Sequence, residues 1–203
     1  MLKIDELEKQ LSQQEPKGIY LLYGEETFLL QQQLNKIKKK FGEIIKGINY
    51  IAIDENNIQE LIADIETPAF GYSTKLIIAR NTGIFKREVK GRSGGASKEL
   101  KDKINEYLKS NIDMINESVI LVFVENEVEK NSIYNTIEKI GIVCNFEEQK
   151  PFQIIKRLKA LKENFQFTPE KYDLEILLDI LSQIYDEIGD FCIVADSGNT
   201  IRK

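Results

Sequence analysis

The sequence predicts an α/β protein: a five-stranded parallel sheet with helices on both faces, followed by an all-helical segment. Three observations lead there. Between residues 19 and 147, five short and nearly continuous apolar runs alternate with stretches whose apolar residues recur at helical spacing. From Pro151 the strand-like runs stop and only the helical period remains. The 203 residues, 42% hydrophobic and 30% charged, carry enough apolar material for one such core.

Taken in order, residues 3–14 place Ile4, Leu7 and Leu11 on one helical face, and Pro16 and Gly18 end that helix. "IYLLY" is the first strand. "EETFLLQQQLNKIKKKF" follows as a helix with Leu30, Leu34, Ile37 and Phe41 in one stripe. Lysines 36, 38, 39 and 40 gather at its C-terminal end, where positive charge suits the helix dipole. "YIAID" (50–54) is the second strand and "NNIQELIADIE" a helix with Asn56 or Asn57 as its N-cap. "TKLIIAR" (74–80) is the third strand. The basic, glycine-bearing "NTGIFKREVKGRSGGASK" reads as a loop. The helix "KELKDKINEYLKS" leads to the fourth strand, "SVILVFV", and "NSIYNTIEKI" leads to the fifth, "GIVCNF". Beyond "PFQIIKRLKALKENF", Thr168 and Pro169 open a further helix as N-cap and first residue. The domains expected are therefore 1–148, α/β, and 149–203, helical.

Composition removes several function classes. The net charge of −5 does not mark the whole chain as a nucleic-acid binder. There is no histidine, which excludes Ser-His and Cys-His nucleophiles and most catalytic zinc sites. "MLKIDELEKQ" lacks the apolar region of a signal peptide, and the longest strand-like run, Val119–Val124, is too short for a bilayer. Cys144 and Cys192 form no CxxC, so both are expected as reduced thiols in a cytoplasmic protein with no membrane association.

The junction "YGEETF" stands where an α/β nucleotide-binding protein carries its phosphate loop. Such a loop needs successive glycines, a lysine and a Ser/Thr hydroxyl. Here Gly24 stands alone, followed by Glu25 and Glu26, which are expected in the first helical turn, where carboxylates repel an approaching phosphate. No nucleotide is expected there.

The same residues resemble a known family. "IYLLYGEETFLLQQQLNKI" is similar to the opening of the delta subunit of bacterial DNA polymerase III, the clamp-loader subunit that opens the sliding clamp. The resemblance continues through "IETPAFGYSTKLIIARN" and "KNSIYNTIEKIGIVCNFEEQKPFQIIKRLKA", and so covers about residues 1–165. It implies a P-loop NTPase or AAA+-like domain without nucleotide binding, followed by a helical lid. It further implies no catalytic residues, no cofactor and no metal. The partners it implies are the beta sliding clamp, the gamma/tau and delta prime subunits, and, through them, DNA. The clamp-binding tip of the family matches Thr67, Pro68, Ala69, Phe70, Gly71 and Tyr72. The residues by themselves allow two readings of Phe70: an exposed anchor for an apolar pocket, or a cap over the chain's own core. The family carries a large apolar residue where this chain has Ala69, so weaker affinity, or a share of the contact for Tyr72, is expected. The lid's Gly-Gly-Asp-Leu-like turn has no clear counterpart, and the sequence ends before a collar domain.

Two further possibilities stand beside this one. Lys86, Arg87, Lys90 and Arg92 form either a patch for DNA phosphates or a solvated loop. Alternatively, the carboxyl ends of the strands, with Gly24-Glu25, Asp54-Glu55, Arg80-Asn81 and Glu125-Asn126, form an acidic, metal-dependent enzyme site.

Overall fold

The computed structural model describes residues 2–86 and 96–148, within the unit Met1–Glu148. The expected helical domain, and Arg87, Lys90 and Arg92, lie outside the described residues. Among the described residues no helix is long and apolar enough to cross a membrane.

Five parallel strands, β1 (Gly18–Tyr23), β2 (Tyr50–Ile53), β3 (Lys75–Arg80), β4 (Val119–Glu125) and β5 (Ile142–Asn145), form one sheet in the order β2-β3-β4-β1-β5. Every residue of β4 is buried, as an apolar run covered on both faces should be. Alternation along each strand divides the core in two. Ile19, Leu21, Ile77, Ala79, Leu121 and Phe123 face one layer, with α3 (Leu61–Glu66), α4 (Lys98–Ser110), α5 (Ile112–Ser118) and α6 (Ser132–Ile140). Tyr20, Leu22, Leu76, Ile78, Ile120 and Val122 face the other, with α1 (Ile4–Gln13) and α2 (Thr27–Phe41). The lysines of α2 are largely occupied within the fold. Lys36 pairs with Glu8 at 2.5 Å, Lys38 lies over the Tyr50 ring, and Lys40 donates to the Gln14 carbonyl at 2.9 Å.

Three local expectations need correction. First, α2 starts at Thr27, with Glu26 as its N-cap residue, so neither Glu25 nor Glu26 lies in the first turn. Second, Asn57 is the N-cap residue of a short 3-10 turn and not of the α-helix, and its side chain makes no capping bond. Its side chain accepts from the Asp54 amide at 2.8 Å, the Asp54 carboxylate accepts from the Asn56 amide, and a 3-10 turn (Ile58–Glu60) precedes α3. Short polar side chains bonding locally to the backbone compete with the helix here. Third, α5 is an additional helix between α4 and β4. With Ile115 as its only buried residue, it leaves little apolar period to find.

In a parallel sheet every strand starts at one edge and ends at the other. The β1–α2 junction therefore lies at the carboxyl edge, and the α3–β3 connection at the amino edge.

Candidate functional site

At the carboxyl edge, Gly24 has φ +128°, and a Cβ placed on it would lie 2.3 Å from the Phe146 carbonyl oxygen. Only glycine admits that approach of the chain leaving β5. The nearby amides are already committed. The N–H of Gly24 donates to the Glu125 carbonyl at 3.3 Å, that of Glu26 to the Phe146 carbonyl at 3.0 Å, and that of Thr27 to the Glu25 carbonyl at 2.8 Å. A phosphate loop works because such donors converge on the anion. Here the Gly24 and Glu26 amides close the junction onto β4 and the chain leaving β5. Glu26 itself has φ −75° and ψ 69°, outside the helical region, so α2 begins only at Thr27.

Beside the junction is a cleft of about 760 Å³, lined by residues that include Asp54, Glu55, Arg80, Asn81, Glu125 and Asn126. The fold thus brings together three of the four residue pairs proposed for an acidic site; Gly24-Glu25 does not line the cleft. Two of the charged groups, those of Arg80 and Glu125, are used internally. The Arg80 guanidinium donates to the Gln31 side-chain oxygen at 3.1 Å. The Glu125 carboxylate, 1% exposed, accepts from the Thr82 amide at 2.9 Å and from the Thr82 hydroxyl at 2.6 Å. Burial raises the pKa of Glu125; the Thr82 hydrogen bonds and then the charge of Lys86 oppose that rise. Among the described residues no group of three His, Cys, Asp or Glu side chains is placed to hold a metal ion. Lys86, the described member of the basic set, is exposed and lines the same cleft. Its backbone carbonyl accepts from the Lys101 ammonium at 2.7 Å, which ties down the start of the basic loop.

The amino edge is built differently. α3 ends as the Thr67 amide and hydroxyl both donate to the Ala63 carbonyl, at 2.9 and 2.7 Å. Pro68 cannot continue a helix in the usual way, because it has no N–H. The Tyr72 amide then donates to the Ala69 carbonyl at 3.0 Å, with Gly71 at φ +80° between them. That is the signature of a type II turn, with Phe70 at its first corner and glycine where φ must be positive. Phe70 is 83% exposed, against 39% and 41% for Ile44 and Ile48, the other exposed large apolar side chains among the described residues. Phe70 therefore does not cap its own core. Pro68 and Gly71 are exposed, Ala69 and Tyr72 half-buried, and the Tyr72 hydroxyl donates to the Glu43 carboxylate at 3.1 Å.

Sequence reasoning overlooked Lys75. It is 3% exposed, and its ammonium donates to the Asp64 carbonyl at 2.6 Å and to the Thr67 carbonyl, both at the C-terminal end of α3. The one available signal was a lysine leading an otherwise apolar strand.

Residues 20–147, more than half of the chain, match the family described as DNA polymerase III, delta subunit. The chain belongs to the delta subunit family. A curated delta subunit from Bacillus subtilis (strain 168) is 34% identical over 87 residues, which cover 39% of this chain and 25% of that protein. The solved structure of the Bacillus subtilis DNA clamp loader delta protein superposes with a TM-score of 0.64 at 20% identity, over 81% of this chain and 48% of that one. The shared sheet is therefore the delta subunit's fold. The match spans a quarter of the curated delta subunit and about half of the solved one.

Proposed function

We propose that this delta-family chain is a non-catalytic clamp-loader subunit that binds the sliding clamp through the turn at residues 67–72 and helps to open the ring. Phe70 enters an apolar pocket of the clamp, Tyr72 widens the contact beside the small Ala69, and nucleotide takes no direct part. ATP hydrolysis belongs to the gamma/tau neighbours, and delta prime completes the set of partners.

The observation that carries this is Phe70: a large aromatic side chain, 83% exposed, at the corner of a glycine-dependent turn. Single exposed apolar residues are ordinary on folded chains; what favours an anchor here is an aromatic ring held outward by an ordered, glycine-dependent turn at the position that matches the family's clamp-binding tip. An aromatic anchor of this kind contributes about 2 kcal/mol or more to an interface. The acidic-enzyme reading has weaker support, since the Glu125 carboxylate is bound by Thr82 and Arg80 by Gln31.

The test is binding of the chain to the sliding clamp of the same organism, wild type beside Phe70→Ala, without nucleotide and with ATP. The expected result is nucleotide-independent binding that Phe70→Ala weakens roughly 30-fold. Equal binding by the two proteins would remove Phe70 from the interface. Binding that requires ATP would reopen the Gly24 junction as a nucleotide site.

A further inference from the structure

We propose that Lys75 is a positioning residue for clamp binding, a buried clasp across the neck of the loop that carries Phe70; the inference rests on the Phe70 reading above. Thr67 opens that loop and Lys75 closes it, so the Lys75–Thr67 hydrogen bond joins the two ends of a nine-residue segment. The bond to the Asp64 carbonyl, at 2.6 Å, extends the clasp one turn back into α3. α3 has only six residues, too few to hold its own end in place without tertiary support. Its last carbonyls lack helical partners, and a cation from the neighbouring strand satisfies two acceptors at that end.

A strand residue with no such task would be apolar at this depth, because a buried ammonium is retained only when acceptors surround it. Burial lowers the pKa of Lys75, and the charge of Asp64 acts in the opposite direction. The clasp fixes the end of α3 before the clamp arrives. The turn then meets the pocket already ordered, and binding avoids the entropy of ordering it. Without the clasp the turn samples other shapes, and apparent affinity falls by the fraction of time it spends in the competent one.

The experiment uses the full chain and combines amide hydrogen exchange in the free protein with affinity for the sliding clamp. In the wild type, the Tyr72 amide should exchange at least about tenfold more slowly than an unstructured amide. In Lys75→Met that protection should vanish while the amides of Leu121 and Val122 in β4 keep theirs, and clamp affinity should fall about tenfold. A merely structural lysine would loosen β4 as well. An unprotected Tyr72 amide in the wild type would overturn the proposal, whatever the variants do. Unchanged clamp affinity in Lys75→Met, beside a large loss in Phe70→Ala, would overturn the clasp and leave the Phe70 reading intact. If Phe70→Ala binds as well as wild type, that reading fails, while the exchange data still judge the clasp. Should Lys75→Met not fold, Lys75→Arg takes its place. It keeps N–H donors, and loss of its Tyr72 protection would count against the clasp.

Discussion

Two of the glycines with positive φ, one at each edge of the sheet, serve opposite ends. Gly24, at the carboxyl edge, is packed against the Phe146 carbonyl with no room for a side chain. Gly71, at the amino edge, has nothing within 4 Å of where a Cβ would stand. The first allows two backbone segments to close on each other and hide their amides. The second shapes an open turn that holds an aromatic ring away from the protein. An α/β sheet of this kind is expected to bind ligands at its carboxyl edge. In this chain the β1–α2 junction at that edge is closed by backbone hydrogen bonds, and the amino edge carries Phe70, the most exposed large apolar side chain among the described residues.

Substitutions at the two edges should break or sharpen this contrast, beginning with the largest effect. Gly24→Ala combines a backbone clash with a disfavoured φ and should cost about 3 kcal/mol or more, read as a lower urea midpoint. A loss under about 1 kcal/mol would mean that the close approach of Phe146 relaxes easily. Gly71→Ala bears only the φ penalty and should cost about 1 kcal/mol. If it proved as damaging as Gly24→Ala, the turn would not be the open structure described.

Glu125→Gln should have a smaller effect that depends on pH. Burial raises the folded pKa of Glu125 above 4.5, so this group's contribution is full below pH 4.5 and is lost as pH rises through the folded value. Glutamine keeps an oxygen for Thr82 and carries no charge. The variant should therefore melt higher than wild type at pH 7, and the gap should narrow towards pH 4.5. A variant less stable at pH 7 would mean that the Thr82 hydrogen bonds to the carboxylate, together with the charge of Lys86, outweigh burial. Smallest of all, Phe70→Ala should leave stability within about 0.5 kcal/mol, since its ring touches little of its own fold. Its expected large effect is confined to clamp binding.

The strands were legible because runs such as "VILVFV" admit few other structures, and α1, α2, α4 and α6 because their apolar period is long enough to see. Strand order was not legible, since apolar runs buried on both faces carry no label for their neighbours. α5 escaped because one buried isoleucine makes no pattern. Phe70 stood out in "TPAFGY", but its exposure depends on the end of α3 and on Gly71 adopting φ +80°, which sequence leaves open. The function of Lys75 was hidden for a similar reason. Its acceptors are backbone carbonyls, and every residue has one. At Gly24 the missing lysine and hydroxyl were visible in the letters, whereas the occupied amides were visible only in three dimensions.

Those occupied amides also bear on how such a sheet can evolve. Side chains change by point substitution, so a lysine and a threonine could appear after Gly24 within a few steps. They would find no ready cradle, because the Gly24 and Glu26 amides face the carbonyls of Glu125 and Phe146 instead. Building a nucleotide site there would require withdrawing the end of β5 and remaking the start of α2 together, a change no single codon supplies. The junction is thus closed by main-chain architecture, which a change of side chains alone does not undo.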